Sequence, residues 1–154
     1  RDLTTGAMLA DVIPGTLSSL VWAENNNVLL YGLANENWRT DNVWMHVIGT
    51  KQSEDVQIFK EADPGFGVGI GTTAADDYIV IATGDNETSE VYLLPADEPN
   101  AQPMLVSARK KGREYSVDVR EKTLYILTND DHVNFRVATA SLDTPDQWTT
   151  LIAG

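Results

Sequence analysis

A unit of four short apolar runs occurs three times in this chain, and that repeat constrains the fold more than any other feature. The first unit places its runs at residues 18–22, 28–33, 43–48 and 56–59. The second places them at 66–70, 78–82, 91–94 and 104–106, and the third at 115–119, 124–128, 135–140 and 148–152. Val43, Val91 and Val137 hold equivalent third-run positions, 48 and 46 residues apart. The runs are rich in Val, Ile, Leu, Tyr and Trp, as strands are. Between them lie turn formers: Glu24-Asn25-Asn26-Asn27, Ala75-Asp76-Asp77, Gly84-Asp85-Asn86-Glu87 and Asn129-Asp130-Asp131. No long amphipathic helix interrupts them. A four-stranded unit recurring roughly every 40–50 residues marks β-propeller blades.

The expected fold is therefore all-β: a partial β-propeller of about three four-stranded antiparallel blades. The expected boundaries are 17–62, 63–110 and 111–154. Residues 1–16 are expected to hold the outer strand of a preceding blade, centred on Gly6-Ala7-Met8-Leu9-Ala10-Asp11. Three blades do not close a ring, and the chain does not begin with Met, so it reads as a fragment. Terminal blades without neighbours expose apolar faces, from which self-association is expected.

Charge and composition exclude several functions. With 23 acidic and 11 basic side chains the formal charge is −12, which repels nucleic acid and anionic membranes and attracts cationic peptides. No apolar run approaches the roughly 18 residues of a membrane span. Arg1-Asp2-Leu3-Thr4-Thr5-Gly6 lacks the apolar core of a signal peptide. The absence of cysteine removes disulfides and thiolate metal sites and suits a cytoplasmic location, with the periplasm also permitted.

Each candidate for chemistry has a structural explanation. There is no Gly-x-Ser-x-Gly elbow, and the two histidines, His46 in a strand and His132 in a polar turn, are assigned no catalytic role. Gly65-Phe66-Gly67-Val68-Gly69-Ile70-Gly71 fails the phosphate-loop spacing, because positions 70 and 72 are Ile70 and Thr72; alternating glycines instead suit a crowded inner strand. The acidic clusters at Asp76-Asp77, Asp85-Asn86-Glu87 and Asn129-Asp130-Asp131 lack the calcium-loop pattern and read as turns. Lys110-Lys111-Gly112-Arg113 reads as a solvated turn or an ion pair with another domain. Asn86-Glu87-Thr88 matches a glycosylation pattern without a secretory context. No catalytic, cofactor-binding or metal residue is assigned, and no cofactor.

Several stretches resemble the N-terminal propeller of the prolyl oligopeptidase family, in particular its oligopeptidase B (protease II) branch. They are Leu17-Ser18-Ser19-Leu20-Val21-Trp22-Ala23-Glu24, Val43-Trp44-Met45-His46-Val47-Ile48-Gly49-Thr50 and Thr88-Ser89-Glu90-Val91-Tyr92-Leu93-Leu94. Arg113-Glu114-Tyr115-Ser116-Val117-Asp118 and Tyr125-Ile126-Leu127-Thr128-Asn129-Asp130, followed by Asn134-Phe135-Arg136, extend the match over nearly the whole chain. The glycine-rich stretch 65–71 departs from the family pattern. The resemblance implies a seven-bladed propeller capping an α/β-hydrolase domain that lies outside this chain. The parent would be a serine oligopeptidase cleaving short peptides after Arg or Lys, with the propeller as lid and size filter. The rival expectation is a non-enzymatic propeller scaffold binding peptides or proteins. A third is a carboxylate-dependent glycosidase propeller.

Overall fold

The computed structural model describes residues 1–23 and 26–154, with Ser18 described in its backbone alone. Part of the turn expected at Glu24-Asn25-Asn26-Asn27 thus lies outside the described residues. The first sheet holds β1 (Thr16–Trp22), β2 (Val28–Leu33), β3 (Asn42–Val47) and β4 (Val56–Lys60), in that spatial order. The second holds β5 (Gly67–Thr72), β6 (Tyr78–Gly84), β7 (Ser89–Pro95) and β8 (Met104–Leu105). The third holds β9 (Tyr115–Arg120), β10 (Thr123–Thr128), β11 (Arg136–Ser141) and β12 (Thr144–Ile152). All pairings are antiparallel between sequence neighbours, so each sheet is a meander. These are three blades of a β-propeller. The one helical element among the described residues is a short 3-10 turn, Gln52–Glu54.

Period-two alternation sends successive residues to opposite faces, and in these sheets both faces are apolar. In β6, Ile79 and Ile81 face the first blade, where they join Leu30, Val43 and Met45. Tyr78 and Val80 of the same strand face the third blade, alongside Leu124, Ile126 and Ala138. The second blade is thus the filling of two cores. Leu30, Val43, Ile79, Ile81, Leu93, Leu94, Leu124 and Ile126 are fully buried, each contributing about 1.5–3 kcal/mol of transfer free energy.

The hairpin joining the first two strands has a left-handed residue in every blade: Asn26, Asp76 and Glu121, with φ of 52°, 57° and 58°. Asn and Asp tolerate that region readily. In the third blade the loop shrinks to Glu121-Lys122, because Arg120 and Thr123 still pair.

Three expectations meet a different observation. Residues 6–11, expected as the outer strand of a preceding blade, are not in a strand in this chain, whose three sheets are built from residues 16–152. The segment instead runs over the first blade, where Gln52 Nε2 donates to the Pro14 carbonyl and Ala34 N–H to the Gly15 carbonyl. Second, β5 is the inner strand, but its glycines are not crowded. A Cβ added at Gly67, Gly69 or Gly71 meets no atom within 4 Å. Third, β12 begins at Thr144 rather than near residue 148, since Pro145 is tolerated on an edge strand.

Gly69→Ala is therefore expected to be neutral or to stabilise by up to about 1 kcal/mol through loss of unfolded-state entropy. Gly84→Ala should destabilise, because its Cβ would lie 2.5 Å from the Thr88 carbonyl oxygen. Urea midpoints of the two variants check both signs, and equal losses would overturn the assignment of open space at β5.

Candidate functional site

The connectors between blades carry the densest chemistry. Glu61 follows β4, Glu90 lies on β7, and Arg109 lies in the connector from β8 to β9. Both carboxylates are almost fully buried. Arg109 Nη2 donates to Glu61 Oε2 and to Glu90 Oε2, each at 2.7 Å. Its backbone N–H donates to Glu90 Oε1 at 2.8 Å, and Thr83 Oγ1 donates to Glu61 Oε2 at 2.6 Å. The guanidinium also lies 4.3 Å from the centre of the Phe66 ring. Burial alone would raise the Glu61 pKa, but Arg109 and Thr83 outweigh it and hold the carboxyl below its ordinary range. Burial, reinforced by Glu90, pushes the Tyr92 phenol up to about 12. One arginine thus ties two successive inter-blade connectors together.

Arg113 is buried and, among the described residues, has no carboxylate salt bridge. It donates to Ser107 Oγ at 3.1 Å and to the Ala108 carbonyl at 2.6 Å, and its Nε lacks a partner. Its guanidinium lies 5.0 Å from the Tyr115 ring and 4.7 Å from the Trp148 ring. Lys110 and Lys111 are exposed, as expected of a turn, whereas Arg113 is drawn into the core. Arg109, Glu61 and Glu90 escaped sequence reasoning because they are far apart in the chain; the available signals were an acid just after β4, an acid inside the apolar run of β7 and the arginine that precedes the basic cluster at 110–113.

His46, on β3, is fully buried. Its Nδ1 lies 2.8 Å from Asp55 Oδ1 and its Nε2 3.1 Å from Asp11 Oδ1. Tyr31 Oη donates to Asp55 Oδ2 at 2.7 Å, and Gly49 N–H donates to Asp11 Oδ1. The Asp55–His46 pair looks like half of a catalytic triad, but Nε2 faces a carboxylate where a triad needs a hydroxyl. The other histidine, His132, lies in the loop before β11 and accepts the Asn134 N–H through Nδ1. The structure keeps the two histidines in different blades. Among the described residues no group of His, Cys, Asp or Glu is arranged to hold a metal.

Two clefts lie between the inner strands. One, of about 510 Å³, is lined by Val21, Ala23, Ile70, Asp76 and Asp77, and another, of about 500 Å³, by Ala74, Ala75, Asp118 and Val119. The Asp118 carboxylate accepts the Ala74 N–H and so bridges blades two and three. The acids at Asp85 and Asp130 are occupied locally. Asp85 accepts the Glu87 and Thr88 N–H groups, and Asp130 pairs with Arg136.

One family matches this chain along its whole length. The model of the prolyl oligopeptidase N-terminal β-propeller domain covers residues 1–154. The chain belongs to that family. It is 30% identical to Protease 2 of Moraxella lacunata and 32% identical to dipeptidyl aminopeptidase BI of Pseudoxanthomonas mexicana, each over 93% of the chain. It superposes on the oligopeptidase B of Leishmania major with a TM-score of 0.89 and 33% identity, over 96% of the chain. The chain spans about a fifth of the length of these relatives, which are peptidases.

Arg109→Ala should cost about 3 kcal/mol at neutral pH, because it strands two buried carboxylates. The parent chain should lose stability as pH falls below 4.5, through the depressed Glu61 pKa. The variant should show the opposite slope between pH 7 and 4.5, since protonation relieves an unpaired buried acid. Urea unfolding across this range reads both slopes; parallel curves would refute the staple.

Proposed function

We propose that this chain is the lid and size-filter portion of a serine-type oligopeptidase that cleaves short peptides after Arg or Lys. The observation that carries this reading is the likeness to oligopeptidase B, 33% identical with a TM-score of 0.89 over nearly the whole chain. The partner is an α/β-hydrolase domain of the same parent, which supplies the Ser-Asp-His machinery. The propeller acts by access: rigid blades leave a narrow path that extended peptides pass and folded proteins do not. The charge of −12 favours approach of cationic peptides by long-range attraction. A cytoplasmic location belongs to the same reading and suits a chain without cysteine.

The test is to assay the full product of the encoding gene on chromogenic peptides with Arg or Lys before the scissile bond, with this chain alone in parallel. Cleavage by the full product only is expected. Release of N-terminal dipeptides instead would favour the specificity named for the Pseudoxanthomonas relative. Activity in neither would favour a non-enzymatic scaffold.

The outward faces of the end blades also predict self-association of the isolated chain. Leu20 and Trp22 on the first blade are 57% and 46% exposed, and Tyr125 and Leu127 on the third are 39% and 48% exposed. Light scattering should show mass rising with concentration; a constant monomer mass would refute it.

A further inference from the structure

The repeat makes His46 anomalous. By alignment of the third strands, His46 corresponds to Leu94 and Ala140. All three point toward the element that precedes their blade in the chain. Leu94 is fully buried against the first blade, and Ala140 is buried against the second. At the same position the first blade puts an imidazole, and what meets it is Asp11, on the segment that precedes β1. An apolar seam has been replaced by an ionic one.

The hydrogen-bond inventory fixes the charge of that seam. An ionised carboxylate only accepts, and a neutral imidazole donates through one nitrogen. Here both ring nitrogens face carboxylate oxygens, at 2.8 and 3.1 Å. Asp55 already accepts the Tyr31 hydroxyl, and Asp11 the Gly49 N–H. Both contacts are satisfied together by the imidazolium. The titratable groups facing the ring are Asp11 from the preceding segment and Asp55 from the turn into β4, with Tyr31 of β2 behind Asp55.

We propose that Asp11, His46 and Asp55 form a proton-dependent latch that fastens the segment before β1 onto the first blade and releases it as His46 loses its proton. Burial alone would lower the His46 pKa, but Asp55 and Asp11 outweigh it and raise it above 6.5. A raised folded-state pKa means that the latch is fully closed below 6.5 and weakens as pH rises through the raised value. At the acid end the Gly49 N–H, and then His46, hold the Asp11 carboxyl below its ordinary range, so the latch persists until that group protonates. The latch joins the segment before β1 to the first blade, and its function is independent of the peptidase reading.

The test uses NMR on the chain itself. The ring of His46 is titrated, and amide exchange is followed at Gly49, which donates to Asp11, and at Ala34, which donates to Gly15. The Ile81 amide, on a strand between the two cores, serves as the global reference. His46 should titrate above 6.5, and the protection factors of Gly49 and Ala34 should lie below that of Ile81 and fall about tenfold per pH unit from 6.5 to the raised pKa. In Asp11→Asn, which alters only the partly exposed partner, His46 should titrate closer to 6.5 and the pH dependence should shrink. His46→Leu, which copies the residue of the second blade, should abolish the pH dependence; if that variant does not fold, Asp11→Asn carries the test. Titration of His46 at or below 6.5 would overturn the latch. So would protection equal to that of Ile81 at every pH, or an Asp11→Asn variant with unaltered His46 titration.

Discussion

Everything in this structure depends on sheets that are apolar on both faces. A strand with one wet face can end a fold, but β6 cannot: Ile79 and Ile81 need the first blade, and Tyr78 and Val80 need the third. Each blade therefore demands a neighbour on each side, and a repeat with that property propagates until it closes. The exposure of Leu20, Trp22, Tyr125 and Leu127 at the two ends is the same demand left unmet. No local propensity produces this; it follows from period-two alternation with no polar partner in the alternation.

Apolar packing of this kind is non-directional, so it fixes which faces meet without fixing how blades are rotated against each other. The ionic staples supply the direction. Arg109 must reach Glu61 from one connector and Glu90 from another blade strand at once, while the Thr83 hydroxyl donates to Glu61 as well. Asp118 adds a second tie where it accepts the Ala74 N–H across blades two and three. Buried charge pairs are seldom net sources of stability compared with apolar packing. Their value here is geometric: a small sliding of one blade breaks several charged hydrogen bonds at once.

The strands were legible in the sequence because their apolar runs alternate with turn formers at nearly constant spacing. Val43, Val91 and Val137 announce the repeat and lie in β3, β7 and β11. The family was legible too, from longer runs such as Val43 to Thr50. The staples were not. Glu61 and Arg109 are 48 residues apart, and single charged residues near strand ends occur throughout an acidic chain. The glycines of β5 misled for a related reason. Alternating glycine signals a face without side chains, and that is true of Gly67, Gly69 and Gly71, but a sequence does not say whether a neighbour or open space lies beyond that face.

Arg113 shows how one buried cation organises a blade. A cation enters the core only where its polar atoms are met or its charge is spread over aromatic faces. The structure does both in part: Ser107 and the Ala108 carbonyl take its terminal nitrogen, and Tyr115 and Trp148 flank the plane. Tyr115 is itself fastened, donating its hydroxyl to the Ser107 carbonyl and accepting the Val91 N–H. Trp148 is placed by its Nε1 donating to Pro145. The inner strand, the outer strand and the preceding connector thus converge on one guanidinium. A blade whose first and last strands share a buried cation moves as a unit, so relative motion in this chain falls at the seams between blades rather than within them.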